Sequence, residues 1–123
     1  MKVTVLVVED NPDNMTLVEE ILEDAGYDIL KAERAEDGIE LLKRGGIDIV
    51  LMDISLPDMD GLEATRIIKA DAVTCKVPVV GLSAHAMESD RQAALDAGCD
   101  EYETKPIDED ALLETIKKVI KAR

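Results

Sequence analysis

The chain has 123 residues, with 28 acids against 14 bases, a net charge of −14, and two aromatic side chains, Tyr27 and Tyr102. That length suits one domain able to bury roughly two-thirds of the surface its unfolded form exposes. The charge and the scarcity of aromatics exclude a nucleic-acid binder that tracks phosphates with a basic stripe or stacks bases.

Val3 to Val8 reads as a buried strand, and Asn11-Pro12 as a helix start, with Asn as cap and Pro at the first helical position. That helix carries Leu17, Val18, Ile21, Leu22 and Ala25 on one stripe and stops at Gly26. Tyr27 to Ala32 is a second, shorter strand, and Ala35, Gly38, Ile39 and Leu42 mark a helix ending at Gly45-Gly46. Ile47 to Met52 is the third strand, whose nearly unbroken apolar content places it inside a parallel sheet. Gly61 to Lys69 is helical, Val77 to Leu82 is the fourth strand, and Met87 to Ala97 is an Ala-rich helix closed by Gly98. Asp100 to Thr104 is a brief fifth strand, and Asp108 to about Lys121 the last helix. Strands alternating with helices in this way specify a doubly wound α/β domain, (βα)5, with a parallel sheet and right-handed crossovers.

In such sheets, ligands bind beyond the carboxyl ends of the strands, where the strand order reverses. Strand one ends in Glu9-Asp10, strand three in Asp53 and strand four in Ser83, while strand five runs into Lys105-Pro106. Strand two ends in Lys31-Ala32 and offers no comparable group. With strand two outermost, in the order 2-1-3-4-5, these polar ends converge on one crevice. Carboxylates crowded there repel one another and raise each other's pKa unless a cation is supplied. Lys105 supplies one charge. An all-oxygen set without His or Cys suits Mg²⁺ for the remainder. A divalent cation, a lysine and a hydroxyl around a carboxylate meet the needs of phosphoryl transfer, with Asp53 as the nucleophile that forms an acyl phosphate.

Glu9-Asp10-Asn11, the run from Asp53 to Gly61, Ser83-Ala84 and the run from Tyr102 to Pro106 together resemble a two-component response-regulator receiver domain of the CheY-like type. The likeness extends from Val3 to about Lys121, so residues 1–123 read as a single receiver domain with no effector domain. Within the family, Glu9 to Asn14 and Ala97 to Asp100 are most similar to single-domain cell-division regulators of the DivK kind and to phosphorelay receivers. The resemblance implies that Asp53 accepts a phosphoryl group from a sensor histidine kinase or a histidine phosphotransfer protein. It implies that Glu9, Asp10, Asp53 and the Ser55 backbone carbonyl hold Mg²⁺, and that Lys105 contacts the phosphoryl oxygens. It also implies a cis peptide between Lys105 and Pro106, and a switch in which Tyr102 moves inward with Ser83.

His85, the lone histidine, reads as an ordinary surface residue more readily than as a catalytic base. By the same resemblance, it and Ser55 border the water path to the phosphoryl group. Asp58 and Asp60 resemble further ligands, but Asp60-Gly61-Leu62-Glu63 reads as a capping box, which favours turn and cap roles. Cys75 and Cys99 fit no metal spacing and read as reduced thiols, Cys99 buried. Glu19, Glu20, Glu23 and Asp24 crowd like charges on the first helix, as a solvated face or as an acidic docking edge for a basic partner. The fourth helix, burying little beyond Ala93, Ala94, Leu95 and Ala97, is expected to shift readily.

No signal peptide is evident before Val3, and no stretch approaches the roughly 20 apolar residues of a membrane span, so a cytoplasmic protein, a monomer or weak dimer, is expected. Only Lys121-Ala122-Arg123 follow the last helix, so output is expected through a downstream protein target docking on the fourth helix, fifth strand and fifth helix. A true Mg²⁺-dependent phosphohydrolase is the main rival, but it would want an Asp where Ser55 stands. A flavin carrier shares the architecture yet lacks a Trp to stack on the ring, and a constitutive adaptor that is never phosphorylated is the third alternative.

Overall fold

The computed structural model describes residues 2–56, 59–85 and 87–122. Five parallel strands, β1 (Thr4–Val8), β2 (Asp28–Ala32), β3 (Ile49–Asp53), β4 (Val79–Ser83) and β5 (Glu101–Thr104), lie in the order β2-β1-β3-β4-β5. Between and after them run α1 (Pro12–Asp24), α2 (Ala35–Lys43), α3 (Gly61–Ala70), α4 (Glu88–Ala97) and α5 (Glu109–Lys121). The expected fold and strand order are those observed.

Because successive strand residues point to opposite faces, each central strand feeds two cores. Leu6, Val8, Val50 and Met52 pack with Ile39, Leu42, Ala64, Ile68 and Ala94 from α2, α3 and α4. Val5, Val7, Ile49, Leu51, Val80 and Leu82 pack with Val18, Ile21 and Leu22 of α1 and Leu112, Ile116 and Val119 of α5. Every residue of β3 and β4 is buried, as their largely apolar runs require, whereas the edge strand β2 is mostly exposed and β5 is partly buried, with Tyr102 inside.

The first and fourth helices bury less than their sequences imply. Leu17 is 40% exposed and Ala25, the C-cap of α1, is exposed, because the stripe facing the sheet is only as wide as Val18, Ile21 and Leu22. In α4, Ala94 and Ala97 are buried while Ala93 is exposed. Tyr27 precedes β2 rather than opening it, and the apolar Ile47 and Val77 belong to loops that only later enter the sheet. Gly98, with φ of +114°, ends α4 in a left-handed turn that a side chain would strain.

Register fixes the position of the site. Val8 pairs with Met52, so the chain leaving β1 at Glu9 runs beside Asp53. Ser83 pairs with Thr104, and the Lys105 N–H donates to the Ser83 carbonyl at 2.8 Å. The peptide bond from Lys105 to Pro106 is cis. Among the described residues, no helix is long and apolar enough to cross a membrane.

Candidate functional site

Glu9, Asp10 and Asp53 each offer a carboxylate oxygen, and these atoms lie within 4.8 Å of one another. β1 delivers the first two and its neighbour β3 the third, at the point where connections leave the sheet to opposite sides. Glu9 and Asp53 are buried and Asp10 is exposed, so the cluster opens to solvent through Asp10.

Lys105 reaches in from the end of β5. Its Nζ lies 2.8 Å from Glu9 Oε1 and 3.3 Å from Asp53 Oδ1, with the side chain mostly covered. Two backbone donors complete the frame: the Asn11 N–H points at Glu9 Oε2 at 3.3 Å, and the Ser55 N–H donates to Asp53 Oδ1 at 3.0 Å. One ammonium thus faces two of the three carboxylates. Burial, then the close approach of Glu9, pushes the Asp53 pKa from 3.8 to about 6, against the opposing pull of the Ser55 N–H and Lys105. Burial also works against the charge on Lys105, but Glu9 and Asp53 outweigh it and hold that pKa above its usual value.

The donor set itself tests whether a metal ion belongs here. All the ligating atoms are oxygens, two of the three acids are buried, and Lys105 leaves their negative charge in excess, so the residues fit a hard cation.

Ser83 is buried at the end of β4, and its Oγ accepts from the His85 N–H at 3.0 Å. The Tyr102 hydroxyl donates to the carbonyl of the same His85 at 2.7 Å, so the two side chains hold one peptide segment from both ends. Tyr102 is already inside, 6% exposed, and the His85 side chain is exposed. Asp60 lies outside the cluster: its Oδ1 caps α3 through the Leu62 N–H, while Glu63 pairs with Arg66 at 3.4 Å. Asp58 lies outside the described residues. Cys99 is buried and Cys75 half-buried.

Sequence reasoning missed the pairing of Lys105 with Glu9, and it missed Gly61. A Cβ at Gly61 would run into the Asp53 carbonyl and the Ile54 backbone, so this glycine lets α3 begin against the end of β3. Its place directly after the capping Asp60 was the available signal.

Residues 5–117 match the response regulator receiver domain family. Protein PilH of Pseudomonas aeruginosa is 39% identical over 116 residues, covering 94% of this chain and 96% of PilH. The polar-differentiation response regulator DivK of Brucella ovis is 35% identical, with 98% of both chains covered. The sensor protein GacS of Pseudomonas syringae pv. syringae is 38% identical over 93% of this chain, which spans only 13% of GacS. Among solved structures, the receiver domain of a Pseudomonas aeruginosa sensor histidine kinase, described with a magnesium ion coordinated in its active-site cleft, is 34% identical and superposes with a TM-score of 0.90 over 98% of each chain.

Proposed function

Because the chain belongs to the response regulator receiver domain family and so acts in phosphorelay signalling, we propose that Asp53 is its phosphoacceptor and that Glu9, Asp10, Asp53 and the Ser55 carbonyl hold Mg²⁺. The carrying observation is the buried Asp53 carboxylate set between Glu9, the Ser55 N–H and Lys105. A carboxylate oxygen of Asp53 attacks the phosphorus of a phosphohistidine. The new O–P bond forms as the N–P bond breaks, and the departing imidazole takes a proton from solvent. Mg²⁺, when bound, offsets the charge that builds on the phosphoryl oxygens. Lys105 is already held over the reacting carboxylate and contributes a fixed positive charge without reorganising. The Ser55 N–H fixes the rotamer of Asp53, and the Ser83 hydroxyl turns from His85 to a phosphoryl oxygen.

The phosphodonor is a sensor histidine kinase or histidine phosphotransfer protein, docking beside α1, where Leu17 stands exposed and Met15 half-exposed. Output is contact with a downstream protein through α4, β5 and α5, a reading supported by the match to PilH and the response regulator DivK along 96% and 98% of their lengths. Across that face Glu101 pairs with Arg91 of α4 at 3.7 Å and Lys118 of α5 at 3.0 Å. Titration with beryllofluoride in the presence of Mg²⁺, followed by NMR, tests the proposal. Shifts in the Asp53, Ser83 and Lys105 amides are expected, and an unchanged spectrum would overturn it.

A further inference from the structure

Tyr102 and Gly81 are direct cross-strand partners on β5 and β4. The ring lies in the core beside Ile54 and Cys99, directly over the spot where residue 81 has no side chain. A Cβ placed on Gly81 would stand 3.3 Å from Cys99 Sγ and 3.3 Å from Ile54 Cδ1, both tight, and 3.4 Å from Tyr102 Cδ1, at the edge of ordinary contact. The strand itself does not call for glycine here, since β4 is regular and buried throughout, and glycine weakens a strand interior. What the missing side chain provides is room for Cys99 and Ile54 to close around the ring.

The remaining attachment of Tyr102 is its hydroxyl bond to the His85 carbonyl. None of these contacts, from Gly81, Cys99, Ile54 or His85, involves a carboxylate of the acidic cluster or Lys105. Among the described residues the buried ring is held by packing and one backbone hydrogen bond, and the His85 N–H on Ser83 links that bond to the crevice.

We infer that Gly81 is a positioning residue for the Tyr102 switch, whose empty side-chain volume lets the ring occupy the interior before Asp53 is phosphorylated. This rests on the receiver reading for what the ring controls. Phosphorylation then adds little to the ring's burial and acts chiefly on Ser83 and the segment around His85, a population shift within a protein whose aromatic switch is already set inward.

Tyrosine fluorescence in a Tyr27→Phe background reports Tyr102 alone. Acrylamide quenching of the unmodified protein is expected to be weak and to change less than about twofold with beryllofluoride and Mg²⁺, as a switch already inward requires. Gly81→Val should lower the inward-to-outward ratio roughly ten- to hundredfold, as overpacking a closed core does, and quenching should rise to that of an exposed tyrosine. Gly81→Ala should show a smaller rise, reversed in the Gly81→Ala/Cys99→Ala pair because the thiol's space becomes available. If Gly81→Val loses cooperative unfolding, the alanine pair decides. Weak quenching in folded Gly81→Val, or no rise in Gly81→Ala, would overturn the inference. So would strong quenching in the parent. The quenching of unmodified protein is independent of phosphorylation, so a failed receiver reading shows separately, as absence of any Mg²⁺-dependent beryllofluoride response.

Discussion

The Lys105 ammonium stands 2.8 Å from Glu9 Oε1, nearer than its 3.3 Å contact with Asp53, so the cation that faces the phosphoacceptor is anchored on a neighbouring acid. Glu9 is almost completely buried and Lys105 largely covered, which makes each the principal solvation of the other. Removing the lysine strands two buried carboxylates. Lys105→Met is expected to cost about 3 kcal/mol in urea unfolding at pH 8 and less at pH 5, where Asp53 takes up a proton. Equal losses at both pH values would show that the change acts through packing.

Asp53 itself is a stability liability. Its pKa rises from 3.8 to about 6 on folding, so the folded state binds the proton more tightly and stability declines as pH rises through that window. Asp53→Asn should therefore stabilise the metal-free protein by about 1–2 kcal/mol at pH 7.5, with the gain fading below pH ~4, where the wild-type carboxyl is protonated in both states. Chemical denaturation across pH measures it.

Metal binding should reverse that liability. Mg²⁺ at a hundred times its dissociation constant is expected to stabilise the wild type by about 2.7 kcal/mol, read as a rise in Tm. Asp10 is exposed, so Asp10→Asn should abolish the Mg²⁺ effect while leaving metal-free stability within about 0.5 kcal/mol. A preserved Mg²⁺ shift in that variant would remove Asp10 from the ligand set.

Gly61→Ala should be far more damaging than a helix N-terminal alanine normally is, since the methyl group meets the Asp53 carbonyl and the Ile54 backbone. A loss of about 2–3 kcal/mol is expected, with a weaker Mg²⁺ shift because Asp53 is displaced. Thermal unfolding with and without Mg²⁺ checks both.

Sequence pattern carried the architecture because it rests on periodicity. The apolar runs of β3 and β4, the caps at Asn11 and Asp60, and the stop at Gly98 are local signals that agree with the structure, whereas Asp108, expected inside the last helix, is its cap. Strand ends were less legible, since Ile47 and Val77 are apolar for reasons of loop packing. The acids of the crevice were legible because parallel topology alone brings the ends of β1 and β3 together. The choice of Glu9 by Lys105, the exposure of Leu17 and the fit of Tyr102 over Gly81 depend on side-chain distances and helix rotation, which spacing does not encode.

On the proposed function, Asp53 carries the phosphoryl group. Incubation with acetyl phosphate and Mg²⁺, borohydride reduction of the acyl phosphate and peptide mass spectrometry test it most directly. A Mg²⁺-dependent modification at Asp53 is expected, one that disappears in Asp53→Asn. A modification at another residue, or none in the wild type, would contradict it.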